Sequence, residues 1–452
     1  MTRRRRHVVA GCVLAVILAP AVGRAAGDLL LREITVVDGT GGPARSGVDV
    51  LVRNGRIAAI APERLDADGA EVVDGRGRFV VPGLFDAHTH PFPVDESFPQ
   101  FVRFGVTSIL VTGCGDCDDA TLAAMRERTL APGAAAPRFF HTSQHFTMAG
   151  RHPVKTYPSP KWVDGVTVHY IDSVAEIGPL VARVSRQPIV GIKLTIEEGP
   201  DPPFVERMPQ EFIDEIVRQA HIAGTRVFAH VSDSEELRMA ARAGVDHLLH
   251  FTGVDLDGER DAELVAGLVS RDVHWVTTIM IDKAFLYPQH PEWVAAVAAT
   301  GMYDAELARL AGAADDPEAV RAFAQRLYGE PAPSFATNPV LRKQFSDLKR
   351  LHEAGIRLVA GTDVGSDWIF PGYSLHEELA LLAAAGFTPD ELLVMATRNA
   401  AGMIGVLDDV GTLEPGKRAD LLVLNADPRT DVGNLGAIAA VYRDGVAVWT
   451  DR

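Results

Sequence analysis

The chain has 452 residues, 47% of them hydrophobic, with 44 Lys and Arg against 60 Asp and Glu, a net charge of −16. That size suits one large barrel with a satellite domain, or two or three ordinary domains, and the 41 Gly and 28 Pro mark many turns rather than low complexity. The acidic balance argues against nucleic acid or an anionic membrane as a partner.

Residues 1–26 read as an export signal. Arg3, Arg4, Arg5 and Arg6 form a basic start, residues 8–22 an apolar run of 15, and Gly23, Ala25 and Ala26 a small-residue cleavage zone. The run is short for a bilayer span and contains Pro20, so no stable membrane anchor is expected after cleavage. The arginines leave a twin-arginine route open beside the general one. Cleavage removes five arginines and no acid, leaving a net charge of −21. The mature protein is expected to be periplasmic or secreted. Its two cysteines, Cys114 and Cys117, stand in Cys-Gly-Asp-Cys; in an exported protein a local disulfide and a pair of inert thiols are both open readings.

From Leu29 to about Phe79, short apolar or alternating runs are separated by Asp38-Gly39, Asn54-Gly55 and Asp74-Gly75, which are hairpin signals. The segment from about Gly411 onward has the same character, with runs at 439–443 and 446–449 flanking Asp444-Gly445. Neither end is long enough to bury a good core alone. The two are therefore expected to pair into one small β-sandwich, built from 27–80 and 404–452.

Between them, 81–403 alternates strands with helices. Gly224, Gly244 and Gly355 each follow an apolar-periodic helical run, where the left-handed conformation ends a helix. Strands are expected at 79–86, 107–112, 138–142, 189–196, 226–231, 247–251, 274–280 and 357–363. Eight strands alternating with helices argue for a (β/α)8 TIM barrel with its active site at the C-terminal strand ends. An open doubly wound sheet is the runner-up, but no glycine-rich phosphate loop opens the first helix. The connection 281–349 is oversized. It contains an expected helix at 317–328 and is expected to cover the mouth.

Polar residues fall at five of the eight strand ends. His88 and His90 are two apart, so a strand places both imidazoles on one face as a chelating pair. Lys193 sits within the fourth strand, and His230, His250 and Asp363 close the fifth, sixth and eighth. Each has an ordinary reading: a hydrogen-bonded core histidine, a lysine paired with a carboxylate, an aspartate capping the next helix. Together, at the end of a barrel where chemistry converges, they describe a metal site. His247, three residues from His250, is expected to face the helix layer. A lysine inside a barrel tends to lose its charge, and a neutral amine can add carbon dioxide to form a carbamate able to bridge two metals. The alternative is an ordinary lysine paired with Asp363 or a substrate acid.

The motifs Val81-Pro82-Gly83-Leu84 leading to His88-Thr89-His90, Phe104-Gly105-Val106-Thr107, Ala243-Gly244-Val245-Asp246 leading to His250, Gly361-Thr362-Asp363 and Gly411-Thr412-Leu413-Glu414-Pro415-Gly416 resemble the amidohydrolase superfamily, in particular its imidazolonepropionase-like and prolidase-like branch. The resemblance implies a distorted (β/α)8 barrel carrying the β-sandwich. It implies that His88, His90 and Asp363 bind a buried metal, and that carboxylated Lys193 bridges to a second metal held by His230 and His250. It implies two divalent ions, most often zinc, with Asp363 as the proton carrier, a small-molecule substrate and a homo-oligomer. Two stretches depart from the pattern. Residues 194–200 carry Glu197 and Glu198 where close relatives have small residues. Thr147 to His152 resembles a Gly-Gly-His loop with Arg151 in place of glycine, making His152 a candidate substrate contact and Arg151 one for a carboxylate.

The reading is an exported metal-dependent hydrolase of an amide, peptide or cyclic-amide bond, with dipeptidase or prolidase-like activity first. A mononuclear-metal deaminase of a heterocyclic amine is second. A non-catalytic binding barrel is third, and the intact ligand set argues against it.

Overall fold

The protein is described by a computed structural model over residues 28–451, apart from 92, 132, 200–203, 252–253, 314–321, 323–324 and 326–337. The export signal and the expected helix at 317–328 fall wholly or mostly outside these residues. No helix among the described residues is long and apolar enough to cross a membrane.

Both chain ends enter one eight-stranded sheet. Its strands are β1 (Leu29–Val36), β2 (Arg45–Arg53), β3 (Arg56–Ala61), β4 (Glu71–Asp74) and β5 (Phe79–Pro82) from the N-terminal side, and β16 (Leu421–Leu424), β17 (Ile438–Arg443) and β18 (Val446–Thr450) from the C-terminal side. The order is β18-β17-β16-β5-β1-β2-β3, with β4 paired to β1. The seam is the antiparallel pair β5–β16. Leu29, Leu31, Val50 and Val80 share a buried cluster with Leu421, Val423 and Tyr442, so the two ends bury a core that neither supplies alone.

Asp38-Gly39 lies in the connection between antiparallel β1 and β2, and two of the other expected turns are tight hairpins. Asn54-Gly55 joins β2 to β3 and Asp444-Gly445 joins β17 to β18, each pair with positive φ at both residues, the geometry that matches strand twist. Asp74-Gly75 is not a hairpin, because β4 and β5 both run parallel to β1. There Gly75 lies so close to β1 that an added Cβ would meet Ile34 Cβ at 2.6 Å.

The body is built from parallel strands. Three, β6 (Leu84–Thr89), β7 (Val106–Val111) and β8 (Arg138–His141), form one sheet. Seven form another: β9 (His145–Thr147), β10 (Val168–Tyr170), β11 (Ile192–Thr195), β12 (Val227–His230), β13 (His247–Leu249), β14 (His274–Val276) and β15 (Arg357–Val359), ordered β10-β9-β11-β12-β13-β14-β15. The ladders are not closed into a ring, but main-chain hydrogen bonds cross between the sheets at both sides. Val190 N–H donates to His141 O (2.9 Å) and Ser143 N–H to Gly191 O (2.9 Å), while Ala87 N–H donates to Ala360 O (3.2 Å) and Asp363 N–H to His88 O (2.8 Å).

The strand alternation sorts the core. Ile192 and Leu194 join the large cluster with helix residues Ile213 and Ile216, while Phe85, Leu110, Phe228, Leu249, Val276 and Val359 form a separate cluster on the strands' other face. The expected first strand, 79–86, is in fact two. It breaks at Gly83, whose N–H donates to Asp420 O (2.9 Å) and whose missing Cβ leaves room for Thr107 Oγ1, 2.0 Å from where that Cβ would stand. β5 thus belongs to the terminal sheet and β6 to the body. Half-buried Arg138 fastens the two, with Nη2 donating to Asp444 Oδ1 (2.6 Å) and Asp420 Oδ1 (3.0 Å).

From the long connection, the helices Met280–Leu286, Pro291–Ala298 and Asp304–Ala313 are described. They pack beside the helix Val94–Arg103 and the segment after β15: Gln100 donates to Met302 O (3.0 Å) and Tyr303 to Pro371 O (2.6 Å).

Candidate metal and active site

Two clusters of metal-capable side chains lie at the C-terminal ends of the body strands: His88, His90 and Asp363, and His152, Glu197 and His230, the donor atoms of each within 4.8 Å of one another. In the first, His88 Nε2 is 3.2 Å and His90 Nε2 is 3.3 Å from Asp363 Oδ1. The contact is non-local, and Asp86 makes it. Its carboxylate accepts from Thr362 Oγ1 (2.6 Å) and Thr362 N (3.0 Å), tying the end of β6 to the segment after β15. Burial pushes Asp86 up to about 7 against those bonds. Asp363 has φ of +66°, a left-handed conformation uncommon for a residue with a side chain.

The hydrogen bond of His90 decides what this cluster can hold. Its Nδ1 is 2.9 Å from Gly113 O. A carbonyl only accepts, so Nδ1 carries the proton and Nε2 presents a lone pair. That lone pair faces a carboxylate oxygen, and two acceptors in contact call for a proton or a metal ion between them. His88 has both ring nitrogens buried without a hydrogen bond. Burial, then neighbouring His250 and Lys193, hold it well below its ordinary value, so it is neutral and able to ligate. For Asp363, burial acts upward, but its contact with His90 and the nearness of His250 and Lys193 outweigh it and keep the carboxyl low. Neutral imidazoles and an ionised carboxylate are the donor set a divalent ion such as zinc takes. Asp363 Oδ2 accepts from Ser366 Oγ (3.1 Å).

Lys193 lies on β11, 1% exposed. Burial lowers it to about 8 against the pull of Asp363 and Glu197. His250 bridges the clusters, its ring centroid 4.3 Å from His88 and 4.1 Å from His230, with Nδ1 3.0 Å from Thr278 Oγ1. His247 does not face the helix layer. It shares the face of Leu249 and packs against Phe228 and His274 at 4.8 and 5.2 Å between centroids. A φ of +70° at His250 breaks the strand alternation and brings that ring to the site.

In the second cluster, His152 Nε2 is 3.1 Å from Glu197 Oε2, and His230 Nε2 is in closer contact with the same oxygen. Burial raises the Glu197 carboxyl against His152 and Lys193; burial, then Lys193, holds His230 well below its ordinary value. Arg151 is placed elsewhere: its guanidinium donates to Arg207 O (2.7 Å) and pairs with Glu206 (2.8 Å). Cys114 and Cys117 form a disulfide, beside Gln144, which bonds Cys114 N (2.8 Å) and Cys117 O (2.9 Å).

The structure therefore brings His88, His90, Lys193, His230, His250, Asp363 and His152 to one end of the body and holds Arg151 in a surface pair. Sequence reasoning missed Asp86, Ser366 and Glu197 as site residues. Asp86 could have been found from its spacing, two before His88, and Glu197 as a carboxylate just past the fourth strand.

Parallel strands with a histidine–carboxylate cluster at their C-terminal ends suit a metal-dependent hydrolase. Residues 79–448 match the amidohydrolase family model, and the chain belongs to the amidohydrolase family. It is a hydrolase acting on carbon–nitrogen bonds of a small-molecule substrate. It is 25% identical over 402 residues to imidazolonepropionase of Geobacillus kaustophilus, covering 83% of each chain, and 24% identical over 455 residues to that of Symbiobacterium thermophilum, covering 92% of this chain and 96% of the relative. A 91-residue stretch is 38% identical to N-acyl-D-aspartate deacylase of Alcaligenes xylosoxydans xylosoxydans, and spans 18% of that enzyme. Among solved structures, a Bifidobacterium longum protein provisionally named a prolidase superposes with a TM-score of 0.69 at 26% identity, covering 94% of this chain and 95% of the other. A Xaa-Pro dipeptidase with methionine bound in its active site superposes with a TM-score of 0.70 at 20% identity, covering 94% and 100%; at that identity the likeness shows the fold.

Proposed function

We propose that this protein is an exported, two-metal amidohydrolase with dipeptidase or prolidase-like activity, its two parallel sheets acting as one distorted (β/α)8 barrel and its two ends as a β-sandwich. The observation that carries the reading is the His90 lone pair turned on the Asp363 carboxylate, with Lys193 buried beside them. His88, His90 and Asp363 would hold one zinc ion. His230, His250 and a carboxylated Lys193 would hold the other. Divalent ions in such a site make a water acidic enough to attack near neutral pH and polarise a carbonyl.

The chain's own groups do the rest. Asp363 Oδ1 faces the histidines, which leaves Oδ2, held by Ser366, to take the proton of the attacking water. The same oxygen hands that proton to the departing nitrogen, so that an amine leaves rather than an amide anion. His152, buried at the cluster, is a candidate substrate contact. Export is supported by the basic and apolar start of the chain. A peptide substrate is supported by the prolidase-type structural neighbours, and a cyclic amide by the full-length likeness to imidazolonepropionases.

The test is metal analysis with hydrolysis assays on dipeptides, Xaa-Pro substrates and cyclic amides. Two metal equivalents with turnover of a dipeptide are expected. A fully metal-loaded enzyme that opens cyclic amides but no dipeptide would replace the peptidase reading by a ring-opening one.

A further inference from the structure

Glu197 is a buried carboxylate in the site to which the ligand set above gives no task. It stands two residues past the end of β11 and is 3% exposed. Its neighbour Glu198 has a partner, Arg207, at 3.0 Å. Glu197 has no lysine or arginine in ion-pair contact among the described residues. Its contacts are two imidazole nitrogens, His152 Nε2 at 3.1 Å and His230 Nε2 closer still, and its Oε2 makes no hydrogen bond.

The proton positions sharpen this. Thr156 Oγ1 donates to Pro153 O (3.2 Å) and lies 2.7 Å from His152 Nδ1. When that proton stays on Pro153, the hydroxyl accepts from Nδ1–H and His152 Nε2 presents a lone pair to Glu197; in either tautomer Glu197 Oε2 receives no hydrogen bond. Two acceptors face each other here as they do at His90 and Asp363. Either a cation lies between them or Glu197 carries a proton. Zinc–ligand bonds of about 2.0–2.1 Å in a tetrahedral site put donor atoms roughly 3.3–3.5 Å apart. The 3.1 Å separation of His152 and Glu197 is close to that, as are the 3.2 and 3.3 Å of the first cluster, while His230 Nε2 lies nearer to Glu197 and would have to draw back for both to hold one ion.

We propose that Glu197 is a direct anionic ligand of the second metal ion, sharing it with His230 and His152. The proposal rests on the two-metal reading. It makes Glu197 a source of negative charge at that ion in addition to a carboxylated Lys193, and it makes His152 a ligand of the substrate-free enzyme.

Glu197→Gln separates the alternatives. The amide keeps the shape and can donate an N–H to His152 Nε2, so it replaces a protonated carboxyl but not an anionic ligand. The full-length mature enzyme is stripped with a chelator, reloaded with zinc or cobalt(II), and read by elemental metal count and cobalt visible absorption. Two equivalents are expected in the wild type and one in Glu197→Gln. The loss of affinity at the second site is expected to exceed the roughly 10–100-fold that removal of an outer partner costs, and Glu197→Asp should recover part of it. Two equivalents and an unchanged cobalt spectrum in Glu197→Gln would overturn the role of Glu197 and leave the two-metal reading standing. A single equivalent in the wild type would overturn both. If circular dichroism shows Glu197→Gln unfolded, His152→Ala takes its place: loss of the second equivalent supports the proposal and retention overturns it.

Discussion

The two donor clusters sit side by side but are built differently. His88, His90 and Asp363 hang on the end of β6 and the run after β15, and the main chains of those runs are hydrogen-bonded to each other and locked by Asp86 and Thr362. His152, Glu197 and His230 come from a loop after β9, a loop after β11 and the end of β12. The first cluster is a rigid product of strand register; the second depends on where two loops settle. A metal held by the first should therefore be the tighter one.

The largest effect is expected at Asp363. Asp363→Asn keeps a neutral donor toward the metal but removes the proton acceptor, so turnover should fall at least about a thousandfold while some metal is retained. Steady-state kinetics with metal counts check this, and full activity would end the base assignment. Next is Lys193. Because burial lowers it to about 8, its neutral, carbon-dioxide-reactive fraction grows as pH rises through that value. A 13C carbamate signal from labelled bicarbonate is expected to be strong near pH 9, weak near pH 6.5 and absent in Lys193→Ala. A pH-independent absence of signal would leave Lys193 an ordinary amine and sharpen the contrast with the first cluster.

Both clusters rest on one frame, and Gly83 tests it. An alanine Cβ there would stand 2.0 Å from Thr107 Oγ1, and overpacking of this kind costs about 1–3 kcal/mol. Urea unfolding should show that loss with metal affinity at the first cluster reduced as well, since β6 begins at Leu84. The smallest effect is a pH slope. Burial raises Glu378 to about 8, against bonds from the Thr277 hydroxyl and from Met280 N and Ile279 N. Its ordinary value is 4.5, so its contribution to stability is full below about that pH and is lost as pH rises through about 8. Glu378→Gln should flatten, not abolish, the fall in urea midpoint over that range, because Asp86, raised to about 7, slopes the same way.

Much of this was legible in residue spacing. Asn54-Gly55 and Asp444-Gly445 demand positive φ twice in a row, a local requirement that marks their hairpins without any tertiary context. All eight expected body segments contain a parallel strand, because an apolar run between helical stretches has one way to be buried on both faces. The failures are equally physical. The break at Gly83 depends on Thr107 approaching it, and the turn at Asp74-Gly75 on β1 lying against it; neither neighbour is local. His247 and His250 were assigned opposite faces by strict alternation, which one left-handed residue undid.

The sequence by itself determined the family, eight of the ten body strands and the identity of His88, His90, Lys193, His230, His250 and Asp363 as residues to watch, because side-chain chemistry at strand ends follows from period and turn chemistry; β9 and β10, three residues each, were too short to show. Only the tertiary structure decided which of them meet. It set the His90 tautomer through Gly113, joined His88 to Asp363 through Asp86, and turned Glu197 onto His152 and His230. Those contacts join residues tens to hundreds of positions apart, and no local rule of period or propensity encodes such distances.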